Sequence, residues 1–406
     1  MQKGRELTVG PTGADVIGGD NRAIQLAVDA LCTRGGGTVR LLPGTYEMID
    51  AVHLRTGIDL AGSGAETVLR KCPGYKSPMT IDADYGQLKV TVADASGFAP
   101  GTGVAILDKR HAGGWAVTTA TITGIEGNTL HIDNYLVHDY SADADGMVLN
   151  TFSLVSGIDV VGCTVSDLTV EGNRDENDPL NGCRGGGIYF QRAEECTVRN
   201  CTVRGFNGDG ISFQTTRDIT VEECEMLENS NFGIHPGTGS ARSIIRNCHM
   251  HHNDQIGFFL CWRVQEGTFT GNRIEENGRF GISIGHKDTD NLFVGNIVRR
   301  NGRDGVYFRK EKEANGGHRN TFRTNTIEDN GDGEHGCGVH IEGVTHDLVF
   351  EENTIRETRS GDARTQRVGV YIGPQVERVT LRGNTLSGHL ESDTVDESGS
   401  GSHVVE

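Results

Sequence analysis

Between Gly187 and Ile372 one short phrase occurs eight times: glycine, a β-branched or aromatic residue, any residue, then usually another large apolar residue. The copies are GIYF at Gly187, GISF at Gly210, GIHP at Gly233, GFFL at Gly257, GISI at Gly281, GVYF at Gly305, GVHI at Gly338 and GVYI at Gly369. Their steps are 23, 23, 24, 24, 24, 33 and 31 residues. A period of this size is the signature of a solenoid. In a solenoid, residues at one offset in successive copies stack about 4.8 Å apart, so sequence offset becomes position.

A second phrase follows each glycine phrase: TVRNC (197–201), TVEEC (220–224), IIRNC (244–248), TFTGN (268–272), LFVGN (292–296), TFRTN (321–325), VFEEN (349–353) and TLRGN (380–384). An earlier copy, TVEGN, ends at Asn173. These segments are short, β-branched and alternating, so they read as strands. At least two strands per unit and no room for a long helix predict an all-β parallel β-helix of roughly ten or more rungs. Alternation sends the residues one and three after each glycine inward and those two and four after it outward. Asn173, Cys201, Cys224, Cys248, Asn272, Asn296, Asn325, Asn353 and Asn384 are expected to form an inward stack whose amides pair between rungs.

The net charge of -18 argues against nucleic acid or anionic membranes as partners. An anionic substrate would need a local basic patch. No run of 18 apolar residues suggests a membrane span. MQKGRELTV is not a signal peptide; the reading favours a secreted or periplasmic protein whose leader is absent from this sequence, with a cytoplasmic one as the alternative. Of the ten cysteines, Cys201, Cys224 and Cys248 fit a core stack, and the rest form no C-x-x-C pair. His249, His251 and His252 beside Cys248 read as a solvated turn, with a metal cluster as the less favoured alternative.

Residues 20–33 carry apolar residues at helical spacing, with Asp20 or Asn21 as N-cap, and predict a helix closing the first rung. Strand and turn signals follow in GGGTV (35–39) and LPGTY (42–46). That order, with the rung pattern over 158–384, resembles the pectate-lyase superfamily of right-handed parallel β-helix proteins. The resemblance implies pectate and pectin lyases, polygalacturonases, alginate lyases, mannuronan epimerases or non-enzymatic tailspikes, so it speaks for fold more than for reaction. The expected organisation is a capped start (1–85), a small β insertion (86–150), the main β-helix (151–386) and a flexible acidic tail (387–406).

The first outward column reads Tyr189, Ser212, His235, Phe259, Ser283, Tyr307, His340 and Tyr371; the second includes Gln214, Cys261, Arg309 and Glu342. Adjoining loops add Trp262, Arg263, His286, Lys287, Asp288 and Glu311. Polar, aromatic and basic groups thus converge over rungs three to six. His235, in NFGIHPGTGS (231–240), is a candidate base with open space beside Gly237. The string resembles the tyrosine-glycine-x-aspartate-proline-histidine motif of mannuronan epimerases at Phe232 and Gly233, but lacks its aspartate. His286 is a second candidate base. Asp288 and Asp290, two apart, could contribute to a Ca²⁺ site but are too few to define one. Arg309 could hold a carboxylate bidentately; salt bridging to Glu311 or Glu342 is the alternative. NGDGI (207–211) resembles the asparagine-threonine-aspartate-glycine motif of polygalacturonases with Gly208 replacing threonine, which nominates Asp209; ordinary turn chemistry explains it equally.

The expected function is binding of an extended polysaccharide or oligosaccharide and its cleavage by β-elimination at a uronate. His235 or His286 would be the base, Tyr307 the proton donor, and Arg309 or Lys287 the neutralising cation. Gln214, Trp262, Arg263, Asp288 and Glu311 would line the groove, Trp262 by stacking on a sugar ring. The alternatives are a uronan epimerase, a hydrolase using Asp209, Asp288, Glu311 or Glu342, and a non-catalytic binding β-helix. No cofactor is required by this reading, with Ca²⁺ left open, and the chain would be a monomer or a homo-oligomer such as a trimer.

Overall fold

The structure, a computed structural model, describes residues 4–398 and 404–405. The chain divides into two compact units, residues 1–190 with 201–212, and residues 191–200 with 213–406.

The first unit opens as the sequence predicts. Helix Asn21–Cys32 starts at Asp20, whose carboxylate accepts from Ala23 N at 3.0 Å, satisfying one of the amides left orphaned at a helix start. Its apolar stripe, Ile24, Ala27, Val28 and Leu31, is buried. Strands Glu6–Gly10, Gly37–Leu41, Ile58–Ala61 and Thr164–Ser166 pair in parallel. So do Gly44–Met48, Thr67–Lys71, Thr169–Glu171 and Thr202–Arg204. Thr67–Lys71 therefore lies directly beside Thr169–Glu171, and the chain over 76–149 between them leaves the coil. It forms a six-stranded antiparallel sheet that begins at Lys76–Pro78, earlier than the expected residue 86, and ends at Met147–Leu149. Val90, Ile106, Ile122, Leu130 and Val148 give it a core of its own.

The second unit is a regular coil with three strands per rung. One sheet stacks Thr220–Glu222, Ile244–Arg246, Thr268–Thr270, Leu292–Val294 and Thr321–Arg323. The next stacks Glu225–Leu227, His249–His251, Arg273–Glu275, Ile297–Arg299 and Thr326–Glu328. The third contains the glycine phrases: Phe232–Gly237, Ile256–Phe259, Ile282–Ile284, Val306–Phe308, Cys337–Ile341 and Val368–Ile372. The sequence indicated at least two strands per unit; the third follows the second phrase after a bend of about two residues, as Glu225–Leu227 follows Thr220–Glu222. Inside, Phe269, Phe293, Phe322 and Phe350 stack with ring centroids 4.9, 4.3 and 5.1 Å apart.

The asparagine stack exists over part of its expected length. Each Nδ2 of Asn272, Asn296, Asn325 and Asn353 donates to the next Oδ1 at 2.9 Å. Each ladder amide also satisfies a backbone carbonyl at the bend, as Asn272 does for Ile245. Asn173 instead has left-handed backbone and bonds Lys71 O. A second ladder, Asn229, Asn253, Asn277, Asn301 and Asn330, runs at the following bend at 2.9–3.0 Å. Its first four asparagines lie four residues before successive rung glycines, and Asn330 lies eight before Gly338.

The expected flexible tail is strand over its first part: Ser392–Asp396 pairs with Val368–Ile372. Residues 399–403 and 406 of that segment lie outside the described residues.

One buried acid sets an acid limit on this unit. Burial alone would push the Glu357 carboxyl up, but Arg359 and the backbone amides of Gln366, Thr365 and Arg359 outweigh it, and the group is lowered from 4.5 to about 2. A depressed carboxyl contributes stability above its unfolded value and loses it as pH falls towards the folded one. The urea midpoint should therefore drop between about pH 4.5 and pH 2, and Glu357→Gln should flatten that drop while costing about 3 kcal/mol at pH 7. An unchanged acid limb in the variant would assign the loss to other carboxylates.

Candidate functional site

The outward columns are less exposed than alternation implies. In the first unit, Tyr189 OH donates to Cys183 O at 2.8 Å and Ser212 Oγ donates to Gly182 O at 2.7 Å. The loop before Gly187 therefore covers both side chains. Asp209 is wholly buried and adds to the burial that pushes the Cys183 thiol up to about 11. Its place is interior rather than on an open groove.

In the second unit His235 is only 3% exposed. Its ring lies edge-on between Phe232 and Phe259, with centroids 5.5 and 5.0 Å away. The expected open space at Gly237 is filled: a Cβ there would meet the amide oxygen of buried Gln214 at 2.4 Å. His235 and Gln214 thus pack the wall.

Arg309 also has a structural employment. Nη1 donates to Ser283 Oγ at 2.9 Å, and Nη2 donates to Leu260 O at 2.9 Å and to Asp288 Oδ2 at 3.2 Å. The guanidinium lies 4.8 Å from the Phe259 ring. Gly285 makes room for it, since a Cβ would sit 2.8 Å from Nε. Asp288 is fully buried and accepts from Val264 N and Gly285 N. Burial pushes its carboxyl up, and Arg309 with the two amides offsets this only in part. The expected partners Glu311 and Glu342 are not those of Arg309. Asp290 is held by Arg319 at 2.7 and 2.8 Å, so the Asp288 and Asp290 carboxylates are engaged separately and do not form a cation-binding pair.

Two successive bends carry the next group. Trp262, Arg263, His286 and Lys287 have φ of 65°, 67°, 48° and 68°, a left-handed pairing that projects side chains off the coil. Trp262, 47% exposed, stacks parallel on His286 at 4.8 Å. His286 Nδ1 is 2.5 Å from Glu311 Oε1. The exposed side chains of Arg263 and Lys287 flank this platform.

Tyr307 belongs to a different cluster. Tyr307, His340 and Tyr371 are register partners in adjacent strands. Tyr307 OH donates to Glu342 Oε2 at 2.8 Å, and its ring stacks on Phe280 at 4.6 Å. His340 Nδ1 is 3.0 Å from Asp304 Oδ2, and Nε2 is 3.8 Å from Glu342 Oε1. An ionised carboxylate only accepts, so Nδ1 carries the proton and Nε2 the lone pair. The Tyr307 and His340 rings lie 5.3 Å apart. With Arg303 and Cys337 these groups line a cavity of about 290 Å³. Burial, then the Glu342 carboxylate, pushes the Tyr307 phenol upward, so it stays a neutral proton donor. Burial and Asp304 likewise raise the Cys337 thiol. Asp304, Cys337 and His340 place three ligand atoms within 4.8 Å of one another and could hold a metal ion.

Sequence reasoning reached Tyr307, placed His340 and Tyr371 in its outward column and nominated Glu342 as a hydrolase carboxylate, but missed Phe280, Asp304 and Cys337. Phe280, Asp304 and Cys337 sit one residue before a rung glycine. Those glycines lie against the next rung, as Gly305 would place a Cβ 2.7 Å from Gly338 O. A third column on the near side of the glycine was the missed signal.

The fold is thus that of parallel β-helix proteins, with an acid–base cavity on the glycine-phrase sheet. The family model for the right handed beta helix region matches residues 153–313 and 186–355, together half of the chain, and the chain belongs to that family. Among solved structures it is similar to the A-module of mannuronan C-5 epimerase AlgE4 of Azotobacter vinelandii, at 19% identity, over 98% of this chain and 95% of that one, with a TM-score of 0.64. The A-module of AlgE6 of the same organism gives 17% identity, 95% of each chain and 0.56. The Dettilon tailspike protein gives 13% identity, 96% of this chain, 68% of that chain and 0.58. No curated protein matches significantly in sequence. No helix among the described residues is long and apolar enough to cross a membrane.

Proposed function

We propose that this chain is a polysaccharide-active enzyme that removes the C-5 proton of a uronic acid residue in the Tyr307–His340 cavity. The observation that carries this reading is the pair itself: two acid–base side chains on neighbouring strands, one tied to Asp304 and the other to Glu342. His340 Nε2 takes the proton, and Asp304 stabilises the imidazolium that results. Arg303 neutralises the uronate carboxylate, which lowers the barrier to forming the carbanion. Tyr307, held neutral, returns a proton. Returned to C-5 from the other face, the proton completes an epimerisation; given to the leaving glycosidic oxygen at C-4, it completes a β-elimination. The Trp262–His286 platform, two rungs earlier and about 10 Å along the coil, holds an adjoining sugar.

The uronan assignment is supported by fold likeness, over nearly the whole chain, to modules named for mannuronan C-5 epimerases. The interior positions of His235, Asp288 and Asp209 favour the cavity over the earlier rungs. The test is incubation with a panel of anionic and neutral polysaccharides, following unsaturated uronate, reducing ends and C-5 configuration together. Unsaturation or inversion on a uronan is the expected result. Reducing ends alone would make the enzyme a hydrolase, and binding with no product would make it a binding module.

A further inference from the structure

On the second sheet of the coil, three side chains converge on one point. Glu225 and His249 are register partners in adjacent strands, and His251 lies two residues further along the second. His251 Nε2 is 3.1 Å and His249 Nδ1 3.9 Å from the same oxygen, Glu225 Oε1. All three atoms lie within 4.8 Å of one another. The histidines are strand residues, not the solvated turn that the sequence suggested.

The opposite ring nitrogens decide what these atoms can do. His249 Nε2 is 2.8 Å from Glu275 Oε1. Glu275 is nearly buried and held by Arg273 and Arg299, each at 2.5 Å. Such a carboxylate accepts, so Nε2 carries the proton and Nδ1 the lone pair. His251 Nδ1 is 2.7 Å from His252 Nδ1, and His252 Nε2 is 2.8 Å from Glu276 Oε2. A proton donated by His251 Nδ1 leaves its Nε2 with the lone pair as well. Two imidazole lone pairs and a carboxylate oxygen then face each other, an arrangement that repels unless a cation sits among them.

We propose that Glu225, His249 and His251 bind a divalent first-row transition metal of the zinc type. Two imidazole nitrogens and one carboxylate oxygen form a common zinc donor set that keeps a position open for water. Tetrahedral ligands at about 2.0–2.1 Å stand about 3.3 Å apart, within the span of the distances observed. The stacked rings, 3.9 Å apart and inclined by 25°, splay to aim both lone pairs at the ion. The carboxylate on His249 and the His252–Glu276 relay on His251 supply the outer hydrogen bonds that orient metal-bound histidines. The ion ties together adjacent rungs and adds to the stability of the coil.

The test is titration of the metal-free chain with Co²⁺ alone, followed by its visible absorption, and the Tm with and without Zn²⁺. One Co²⁺ per chain is expected, with d–d bands and no thiolate charge-transfer band. Zn²⁺ should displace it and raise Tm by several degrees. His251→Ala should abolish the bands. Glu225→Gln, a change at a half-exposed side chain that leaves the coil intact, should do the same. Glu275→Gln should weaken Co²⁺ binding by about 10–100-fold. The proposal is overturned if no stoichiometric binding occurs, if binding persists in Glu225→Gln, or if the bands show thiolate ligation and vanish with Cys337→Ser. That last outcome would locate the ion at Asp304, Cys337 and His340.

Discussion

Replacing Tyr307 by Phe, or His340 by Gln, should lower turnover on a uronan by about 100-fold or more, the usual worth of a positioned acid or base. Both changes nearly conserve volume, so the stacking of residue 307 on Phe280 survives and the urea midpoint should move little. The two variants should differ in which half of the proton transfer they lose. His340→Gln removes the base and should abolish exchange of the C-5 proton; Tyr307→Phe removes the donor and should leave that exchange detectable while product formation falls. Asp304→Asn should fall between them, because the amide can donate to Nδ1 and favour the wrong tautomer. Loss of activity with an unchanged midpoint places these residues in the chemistry. Retained activity in both variants would remove the cavity from consideration.

Arg309→Ala should destabilise the protein by about 3–5 kcal/mol, the cost of stranding a buried partner charge. Its partner Asp288 has no exposure, and Ser283 Oγ and Leu260 O lose their donor with it. The double variant Arg309→Ala with Asp288→Asn should cost clearly less than the sum of the two singles, since the second change removes the stranded charge. Urea denaturation of the four proteins measures this coupling. A midpoint unchanged by Arg309→Ala, with loss of activity, would return Arg309 to the role of carboxylate clamp that its sequence position suggested.

The coil was legible because its period is nearly constant and its inward residues must be apolar or amide at fixed offsets. Gly187 through Gly369 and the Asn272–Asn384 ladder follow from that constraint. The capping helix was legible from Asp20 and the spacing of Ile24, Val28 and Leu31. The site was less so, for two physical reasons. Alternation tells which side of a strand a residue faces, but not whether a loop covers that side, and the loop before Gly187 hides Tyr189 and Ser212. Nor does it tell which charges neutralise each other: Arg309 and Asp288 are 21 residues apart in sequence and meet through a bend. Tyr307 was reachable from its column, whereas Asp304 and Cys337 lie before the glycine, in a column that alternation from the strand does not reach.

The most direct test of the proposed chemistry is proton NMR of a uronan incubated with the enzyme in D₂O. Removal of the C-5 proton at the Tyr307–His340 cavity predicts one of two signatures: deuterium at C-5 with inverted configuration, or an unsaturated uronate end. Either must vanish in the His340→Gln variant. New reducing ends on residues whose C-5 proton is retained would contradict the account and assign the chain to hydrolysis.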